Sequence, residues 1–506
     1  PPLQFVGADT RLNSGLQQPG GPGNTYTSHT RSQGHTLTLS YEASDAITIK
    51  SITGYRKLLL ENVLGLSGQG DLKGLVLDFT SPTLTSVQSV TPYNGYNSPQ
   101  KQKQFSEELQ LLGKAGDFSY VLGAYYFREK VSENNNQNLT LVLSPFALPF
   151  LGFPTAVQDA LVGQGIDLIG LNLSPIARYS QVSKSYAAFG QVSWKPQSLD
   201  ERFELTGGIR YTEDRKSIFL QNLSNGVSSI IGPPRGSVKY TNTSFLGSAS
   251  YQLSPDALVY AKLSTGYKSG GFNPRADTLN SFAPEKLVSY EAGAKLDLFN
   301  RRLRINGAAF LSKYDDLQVP QFAAGSGGAS TLLVNAGKAE FKGVELEVTA
   351  LPTRGLTLSG SLGYTDPKYK RFLFLNPNTN TISDIPNVAK FNSNVAVDYV
   401  FEPMAIGTLS ARVSYAYRSH VYFYPNDAVN PFQQQVDSPA TNTVDARIAL
   451  SDIALGSAAK GELSLVGENL LNEDQVLYGI DFGSLGFGGK FYSDPRRVSV
   501  EFKISF

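Results

Sequence analysis

The chain has 506 residues with 44 basic and 43 acidic side chains, and its formal net charge of +1 does not favour nucleic acid as a partner. It contains no cysteine, which excludes a disulfide framework and a cysteine-ligated metal site, and three scattered histidines (His29, His35 and His420) do not suit a histidine-based metal site. Charged residues make up 17% of the chain, below the roughly 25% of typical soluble proteins.

Alternation of apolar and polar residues is the dominant pattern along the chain, and it predicts strands with one apolar and one polar face. Residues 1–33 are rich in Gly, Pro, Gln and Ser and predict a loop, whereas 139–157 is apolar but carries three prolines and also predicts a loop. The remaining pattern predicts about 17 strands. We place these at 34–44, 46–57, 103–113, 117–131, 181–195, 201–217, 238–253, 256–268, 286–299, 301–318, 333–351, 355–366, 388–401, 407–422, 442–452, 461–471 and 495–506.

The predicted connections alternate between short turns and long loops. A transmembrane β-barrel has this alternation, because its turns at one end are short and its extracellular loops are long. The fold class is therefore all-β, a transmembrane antiparallel barrel of an outer membrane, with residues 34–506 as the barrel domain and residues 1–33 as the remnant of an extracellular loop. Bacterial single-chain barrels have an even number of strands, so either one strand is miscounted or further strands lie outside this sequence.

Catalytic chemistry is not expected. The glycine-rich segment Gly483–Phe491 departs from the phosphate-binding loop pattern, since Ser484 and Phe491 stand where that pattern needs Gly and Ser or Thr. Asp315 and Asp316 are neighbours on a strand end and point to opposite faces, which makes them poor candidates for an acid–base pair. No catalytic residue, metal ligand or cofactor is predicted, and we expect no enzyme activity.

Charged residues on the polar strand faces are expected to point into the barrel lumen, because an Arg or Lys on the lipid face costs about 2–4 kcal/mol at the bilayer midplane. The predicted lumen-facing or plug-facing residues are Glu204, Arg210, Asp214, Glu345, Glu347, Asp445, Arg447, Glu462, Glu501 and Lys503. A lumen with both signs of charge suits either a protein plug or a water-filled channel.

Aromatic residues of the long loops are the candidates for ligand contact, since their rings can stack on a catecholate, aromatic or sugar ligand. The same rings are equally compatible with the aromatic girdle at the membrane surface or with packing between loops. The candidates are Tyr93, Tyr96, Tyr422, Phe423, Tyr424, Tyr478, Phe482, Phe487 and Tyr492.

Several segments, in order along the chain, resemble the barrel of TonB-dependent outer-membrane receptors, the group that includes siderophore and pesticin receptors. They are Ser51–Arg56, Phe105–Leu111, Tyr120–Glu129, Tyr186–Pro196, Leu205–Ser217, Val259–Arg275, Phe282–Val319, Asn335–Asp366, Gly467–Gly479 and Asp494–Phe506. The resemblance implies a 22-stranded barrel filled by an N-terminal plug. This sequence would hold the C-terminal strands, while the plug, the TonB-contacting segment (the TonB box) and about five strands are absent from it.

The resemblance also implies a function. It implies a multi-pass receptor in the outer membrane of a Gram-negative bacterium that takes up a scarce ligand, most often a ferric siderophore, with energy from TonB. Uptake of a glycan, cobalamin or aromatic compound, or a passive porin-like channel, are alternatives. The implied partners are outer-membrane lipid, the TonB complex through the missing N-terminal region, a small iron chelate, and the barrel-insertion machinery, which would read the C-terminal strand ending at Phe506.

Overall fold

The computed structural model describes most of the chain. The described residues are 4–6, 28–65, 71–78, 85–90, 93–149, 154–224, 227–276, 278–325, 328–372, 385–425, 430, 432–456, 459–481 and 488–505.

Seventeen long strands, of 9 to 26 residues, run through the described part of the chain. They are long enough to cross a bilayer at a tilt, which takes about 9–11 residues. We number them in chain order: β1 (Ser28–Ser44), β2 (Ile47–Gly65), β3 (Tyr93–Ala115), β4 (Phe118–Leu143), β5 (Pro175–Trp194), β6 (Phe203–Leu220), β7 (Arg235–Ser254), β8 (Ala257–Lys268), β9 (Glu285–Leu298), β10 (Leu303–Asp315), β11 (Gly337–Ala350), β12 (Leu356–Phe372), β13 (Phe391–Val400), β14 (Thr408–Arg418), β15 (Thr441–Ala454), β16 (Lys460–Glu468) and β17 (Arg497–Ser505).

Each strand pairs antiparallel with the next one in the chain, from β1 to β17. Within the described residues, no register joins β1 to β17. The predicted all-β fold class and the predicted number of strands are confirmed.

We call the antiparallel sheet formed by β1 to β17 the wall. The connections between its successive strands alternate strictly between its two ends. At one end the turns are tight: only Gly116 and Asp117 separate β3 from β4, and residues 299–302 separate β9 from β10. Gly116 has φ 55° and Asn300 has φ 56°, so both turns use the left-handed region that Gly and Asn tolerate best. All long connections leave from the other end, which we call the loop end, and the predicted alternation is confirmed.

One face of the wall carries exposed apolar side chains on strands from β1 to β17. On β17, Val498, Val500 and Phe502 are 62%, 70% and 57% exposed and alternate with charged and polar residues. Exposed apolar side chains at this density suit contact with lipid rather than with water.

Aromatic side chains border this apolar face at both ends. The turn-side aromatic row contains Phe118, Trp194 and Phe203, with ring centroids 6.5 and 6.2 Å apart in that order. The loop-side aromatic row contains Phe105, Tyr126 and Tyr186, with centroids 6.2 and 5.3 Å apart. Two such rows separated by aliphatic residues have the form of the aromatic girdles at the two membrane surfaces.

Short elements of the described residues lie mostly within the long connections, but Gln4–Val6 precedes β1 and the 3-10 turn Gln197–Leu199 lies in the short turn between β5 and β6. The short strands are Gln4–Val6, Asp71–Asp78, Thr85–Val90, Ile169–Leu173, Leu223–Ser224, Val227–Ser228, Gly271–Phe272, Ser281–Phe282, Gln318–Gly325, Gly328–Asn335, Val476–Asp481 and Gly488–Tyr492. The helices are α1 (Thr155–Gly163), α2 (Gln433–Val436) and two 3-10 turns at Pro145–Ala147 and Gln197–Leu199. Where helices are described, none has the length and apolar character needed to cross a bilayer.

Buried apolar clusters lie under the loops. One contains Leu317, Val319 and Ile385 together with Tyr369 at the loop end of β12. A second joins Ile218 and Leu220 of β6 to Phe272 of the connection 269–284. Hydrophobic packing therefore fixes the long connections against the loop end of the wall.

Two loop predictions differ from the structure. β1 begins at Ser28, inside the segment 1–33 that we assigned to a loop, and β4 continues to Leu143, inside the predicted apolar loop 139–157. Helix α1 then begins at Thr155. The strands extend beyond the aromatic row into a region where both faces are polar, so the alternation that marks a strand fades there.

Candidate functional site

The polar face of the wall collects the charged residues that the sequence singled out. In the register, Ser464 lies opposite Glu501 and Glu462 lies opposite Lys503. Because side chains on a strand alternate between faces, following the register from strand to strand places all ten predicted lumen residues on this one face. They are Glu204, Arg210, Asp214, Glu345, Glu347, Asp445, Arg447, Glu462, Glu501 and Lys503. That this face lines the lumen stays a prediction.

Charged groups on the polar face are joined across neighbouring strands. The Arg447 guanidinium donates to the Glu462 carboxylate at 2.6 Å, and the Arg412 guanidinium donates to the Asp398 carboxylate at 2.7 Å. Sequence reasoning missed the second pair. Its members lie in directly opposed positions of β13 and β14, which only the register reveals.

Aromatic rings also contact a charged side chain on this face. The Arg210 guanidinium lies 5.4 Å from the ring centroids of both Tyr125 and Phe189. Such cation–π contacts fix the guanidinium without neutralising it. Arg210 therefore remains a positive group on the polar face, available to an anionic ligand or to an acidic segment.

At the loop end, the connection 269–284 is tied down over the polar face. The Arg275 guanidinium donates to the Glu133 carboxylate on β4, and that carboxylate is almost fully buried. Asn222, fully buried, donates to the carbonyls of Pro274 and Ala276 at 3.3 and 3.1 Å and accepts from the Arg178 backbone N–H at 2.9 Å. These bonds link the connections 221–234 and 269–284 to each other and to β4 and β5 as one layer.

The hairpin of Gln318–Gly325 and Gly328–Asn335 extends this layer. Asn273 donates to the Leu333 carbonyl at 3.0 Å and accepts from the Leu333 N–H at 2.9 Å. The strand Gly328–Asn335 also lies beside β4 and β5, which are distant from β10 and β11 in the wall. We call these bonded segments, 269–284 and 318–335, the loop shelf.

A second group of loop side chains packs between the connections 419–440 and 469–496. Phe423 and Tyr424 are 6% and 3% exposed, and the Phe423 ring lies 5.8 Å from that of Tyr478, which is 47% exposed. Tyr422 is half-buried and stacks edge-on with His420 at 4.3 Å. The structure thus brings three of the predicted ligand-contact residues, Phe423, Tyr424 and Tyr478, together as one aromatic loop cluster, with Tyr478 at its surface.

Tyr424 is a structural member of this cluster. Its hydroxyl accepts a hydrogen bond at 3.2 Å from the backbone N–H of Asp481, and the Asp481 carboxylate accepts from the Phe432 N–H at 2.7 Å. Burial raises the pKa of Tyr424 far above its ordinary value. The ring therefore stays neutral and holds the two connections together.

The other predicted ligand contacts are placed differently. The backbones of Tyr93 and Tyr96 belong to β3, opposite Leu139 and Asn136 of β4, rather than to a loop as we predicted from sequence. Tyr492 is half-buried on the short strand Gly488–Tyr492, opposite Val476. Phe482, Phe487 and the C-terminal Phe506 lie outside the described residues.

No cluster of three or more His, Asp and Glu side chains in the described ranges is arranged to hold a metal ion. The described residues present fixed charges of both signs, ring contacts and a covering layer of loops.

Comparison with known proteins agrees with this architecture. Residues 3–470 match the family model described as "TonB dependent receptor-like, beta-barrel". The pesticin receptor of Yersinia enterocolitica is 29% identical over 259 residues, which cover 50% of this chain and 32% of that protein.

Solved structures share the fold. The ferric yersiniabactin uptake receptor FyuA of Yersinia pestis has a TM-score of 0.68 at 19% identity, covering 95% of this chain and 62% of that one. The ferric preacinetobactin receptor BauA of Acinetobacter baumannii has a TM-score of 0.61 at 14% identity, covering 95% of this chain and 63% of that one. The chain spans about a third of the curated pesticin receptor and less than two thirds of either structure. By the family match over most of its length, the chain belongs to the TonB-dependent receptor β-barrel family.

Proposed function

We propose that this protein is a multi-pass receptor of a Gram-negative outer membrane that takes up a ferric siderophore with energy supplied through TonB. Two of its structural relatives are named for ferric siderophores, yersiniabactin and preacinetobactin. In this proposal the protein is a transporter and not an enzyme. It contacts membrane lipid through the apolar face and is inserted by machinery that reads its last strand.

The observation that carries the proposal is the loop shelf over the polar face. Arg275 ties the shelf to the buried Glu133, and the hairpin 318–335 reaches β4 and β5. A passive pore works best with an unobstructed mouth, whereas a receptor needs a bounded chamber that holds its ligand before transport. Charge of both signs on the polar face gives such a chamber anchor points for the oxygens of an iron chelate and for an acidic or basic protein segment.

The aromatic loop cluster supplies a further contact surface. Tyr478 is 47% exposed while Phe423 beneath it is 6% exposed, so one ring is accessible and its neighbour supports it. A ring held this way loses little conformational freedom on binding and can stack on an aromatic siderophore. We therefore assign Tyr478 the ligand-contact role, and Phe423 and Tyr424 a supporting role.

The test is uptake of radioactive iron by cells that produce the full protein but lack their own siderophore receptors. Iron is supplied on a panel of purified siderophores that includes yersiniabactin. We expect accumulation of iron from one of them in a host with functional TonB and none above background in a host without it. Uptake that is equal in the two hosts would show a passive channel and overturn the proposal.

Two variants connect uptake to the site. Tyr478→Ala is expected to raise the half-saturating siderophore concentration about tenfold, as loss of one stacking contact of about 1–1.5 kcal/mol implies. Phe146→Ala removes a ring that is at least as exposed (59%, against 47% for Tyr478) from the connection 144–174, and it should leave uptake unchanged. Equal effects of the two substitutions would remove Tyr478 from the site.

A further inference from the structure

A row of basic side chains follows the loop-side aromatic row on the apolar face of β2 to β7. Every member of this basic row lies directly opposite at least one other member in the strand register. In order around the wall, the basic row consists of Lys57, Lys103, Lys130, Arg128, Lys184, Arg215 and Lys239. All are half-buried or exposed.

Opposed like charges destabilise a sheet, so such a row needs a source of negative charge. Within the described residues, Glu213 is the carboxylate that contacts the row, at 2.5 Å from Arg215 and 2.8 Å from Lys239. Glu107 lies on the same face but accepts hydrogen bonds from the hydroxyls of Ser51 and Thr53 at 2.7 and 2.5 Å. The basic row therefore keeps a large positive excess.

Strands β9 to β12 carry charged side chains that neutralise one another. On the same face of β9 to β12, the register sets cations opposite carboxylates. Asp366 lies 3.6 Å from Lys342 and 3.0 Å from Lys368, and Glu340 lies 3.1 Å from Lys370. The chain can balance charge at this level of the wall, and on β2 to β7 it does not.

The position of the basic row relative to the loop-side aromatic row indicates which part of the membrane it faces. The Lys57 ammonium lies 5.5 Å from the centroid of the Tyr55 ring, and the Arg215 guanidinium lies 5.7 Å from that of Tyr186 in the loop-side aromatic row. Aromatic rows lie at headgroup level, with the lipid chains on their aliphatic side. The basic row is on the other side of the rings, at the depth of lipid phosphates.

We propose that the basic row binds the phosphate groups of anionic lipid headgroups in the leaflet at the loop end. Lysine and arginine side chains on a rigid strand present a fixed set of donors to phosphate oxygens, and each is attracted to an anionic membrane surface. A phosphorylated glycolipid with more than one phosphate fits the row best, because adjacent strands set several cations side by side. The surface lies outside the proposed uptake site and does not depend on the ligand.

The test compares lipid compositions. The full protein is reconstituted in nanodiscs of phosphatidylcholine, alone or with added lipid A, a bis-phosphorylated glycolipid, and its thermal unfolding is measured. The row variant is Lys103→Gln with Lys130→Gln and Lys184→Gln. The matched control is Lys342→Gln with Lys368→Gln and Lys370→Gln, which removes three cations that already contact carboxylates.

The wild-type protein and the control are expected to gain thermal stability with lipid A, and the row variant is not. The lipid A affinity of the row variant should be lower by on the order of 100-fold, about fivefold for each of three lysines. In phosphatidylcholine alone the row variant should be more stable than the wild type, since opposed cations have been removed. Equal stability of the wild type in both lipids, or equal responses of the two variants, would overturn the proposal. The proposal would also be overturned if binding of an acidic protein raised the thermal stability of the wild type in phosphatidylcholine without lipid A.

Discussion

The guanidinium of Arg275 donates to the carboxylate of Glu133, and this contact joins two positions 142 residues apart in the chain. The glutamate is on β4 and the arginine is in the loop shelf. One ion pair thus connects the wall to the layer that covers its polar face.

Removing that pair should loosen the loop shelf. We expect Arg275→Ala to lower the free energy of unfolding by about 1–3 kcal/mol, because it removes a hydrogen-bond partner of a nearly fully buried carboxylate. It should also speed cleavage of the connection 269–284 by added protease. Urea unfolding in detergent and limited proteolysis measure the two effects.

The exposed pair of Lys338 and Asp315 is the control for this experiment. The atoms are 2.7 Å apart, but the side chains are 59% and 56% exposed. Exposed ion pairs contribute only about 0–1 kcal/mol, so Lys338→Ala should change little. A loss as large as that from Arg275→Ala would mean that charge removal in general, and not the shelf contact, lowers stability.

The assignment of the two faces can be tested with single cysteines, because the chain has none of its own. Glu345 and Leu346 are neighbours on β11 and point to opposite faces. In the reconstituted protein, Glu345→Cys should react with a charged thiol reagent added from water, whereas Leu346→Cys should be protected by lipid. The reverse pattern would exchange the lumen and lipid faces.

Gly343 provides a test of packing on the polar face. A Cβ at this position would meet the Tyr364 carbonyl oxygen and come 2.7 Å from the Phe310 ring, which lies directly opposite in the register. Gly343→Ala should therefore destabilise the wall by about 1–3 kcal/mol, measured by urea unfolding. At Gly207, also within a long strand, a Cβ has open space, and Gly207→Ala should be nearly neutral. Similar losses at both positions would argue against the close contact at Gly343.

Tyr424 predicts a pH dependence of stability. Burial raises its pKa above the ordinary 10.0, so the folded state holds the phenol proton more tightly than the unfolded state does. Its contribution to stability is complete below about pH 10 and is lost as pH rises toward the raised pKa, by about 1.4 kcal/mol per pH unit. The stability of the wild type relative to Tyr424→Phe should therefore be constant between about pH 7 and 9 and fall at higher pH. A constant difference up to about pH 11 would contradict a buried, neutral tyrosine.

The strands of the wall were predictable from sequence because the alternation that marks a strand involves residues close together in the chain. Alternation on β6, β11 and β17 reflects lipid on one side and polar groups on the other, and each turn interrupts that pattern. The loop-end parts of the strands were harder to predict. In β4, residues Ser132 to Asn138 are mostly polar on both faces, so the backbone pairing that continues to Leu143 leaves no alternation to read.

The site was less predictable, because its contacts join residues that are distant in the chain. The loop aromatics were identified by type, but their roles differ by burial: Phe423 is 6% exposed and Tyr478 is 47% exposed. The contact between Arg275 and Glu133 and the opposition of Asp398 and Arg412 depend on strand register and loop folding. No spacing in the sequence marks either pair.

The pairing of every wall strand with its chain neighbours has a consequence for how the protein is made. A sheet of this kind needs no distant segments to find one another, since each new strand is added beside the one that precedes or follows it. Loop-closure entropy is then lost in small steps, one hairpin at a time, and the kinetic barrier of assembly stays low for so large a sheet. The shelf and the aromatic loop cluster, which do join remote segments, are expected to form last.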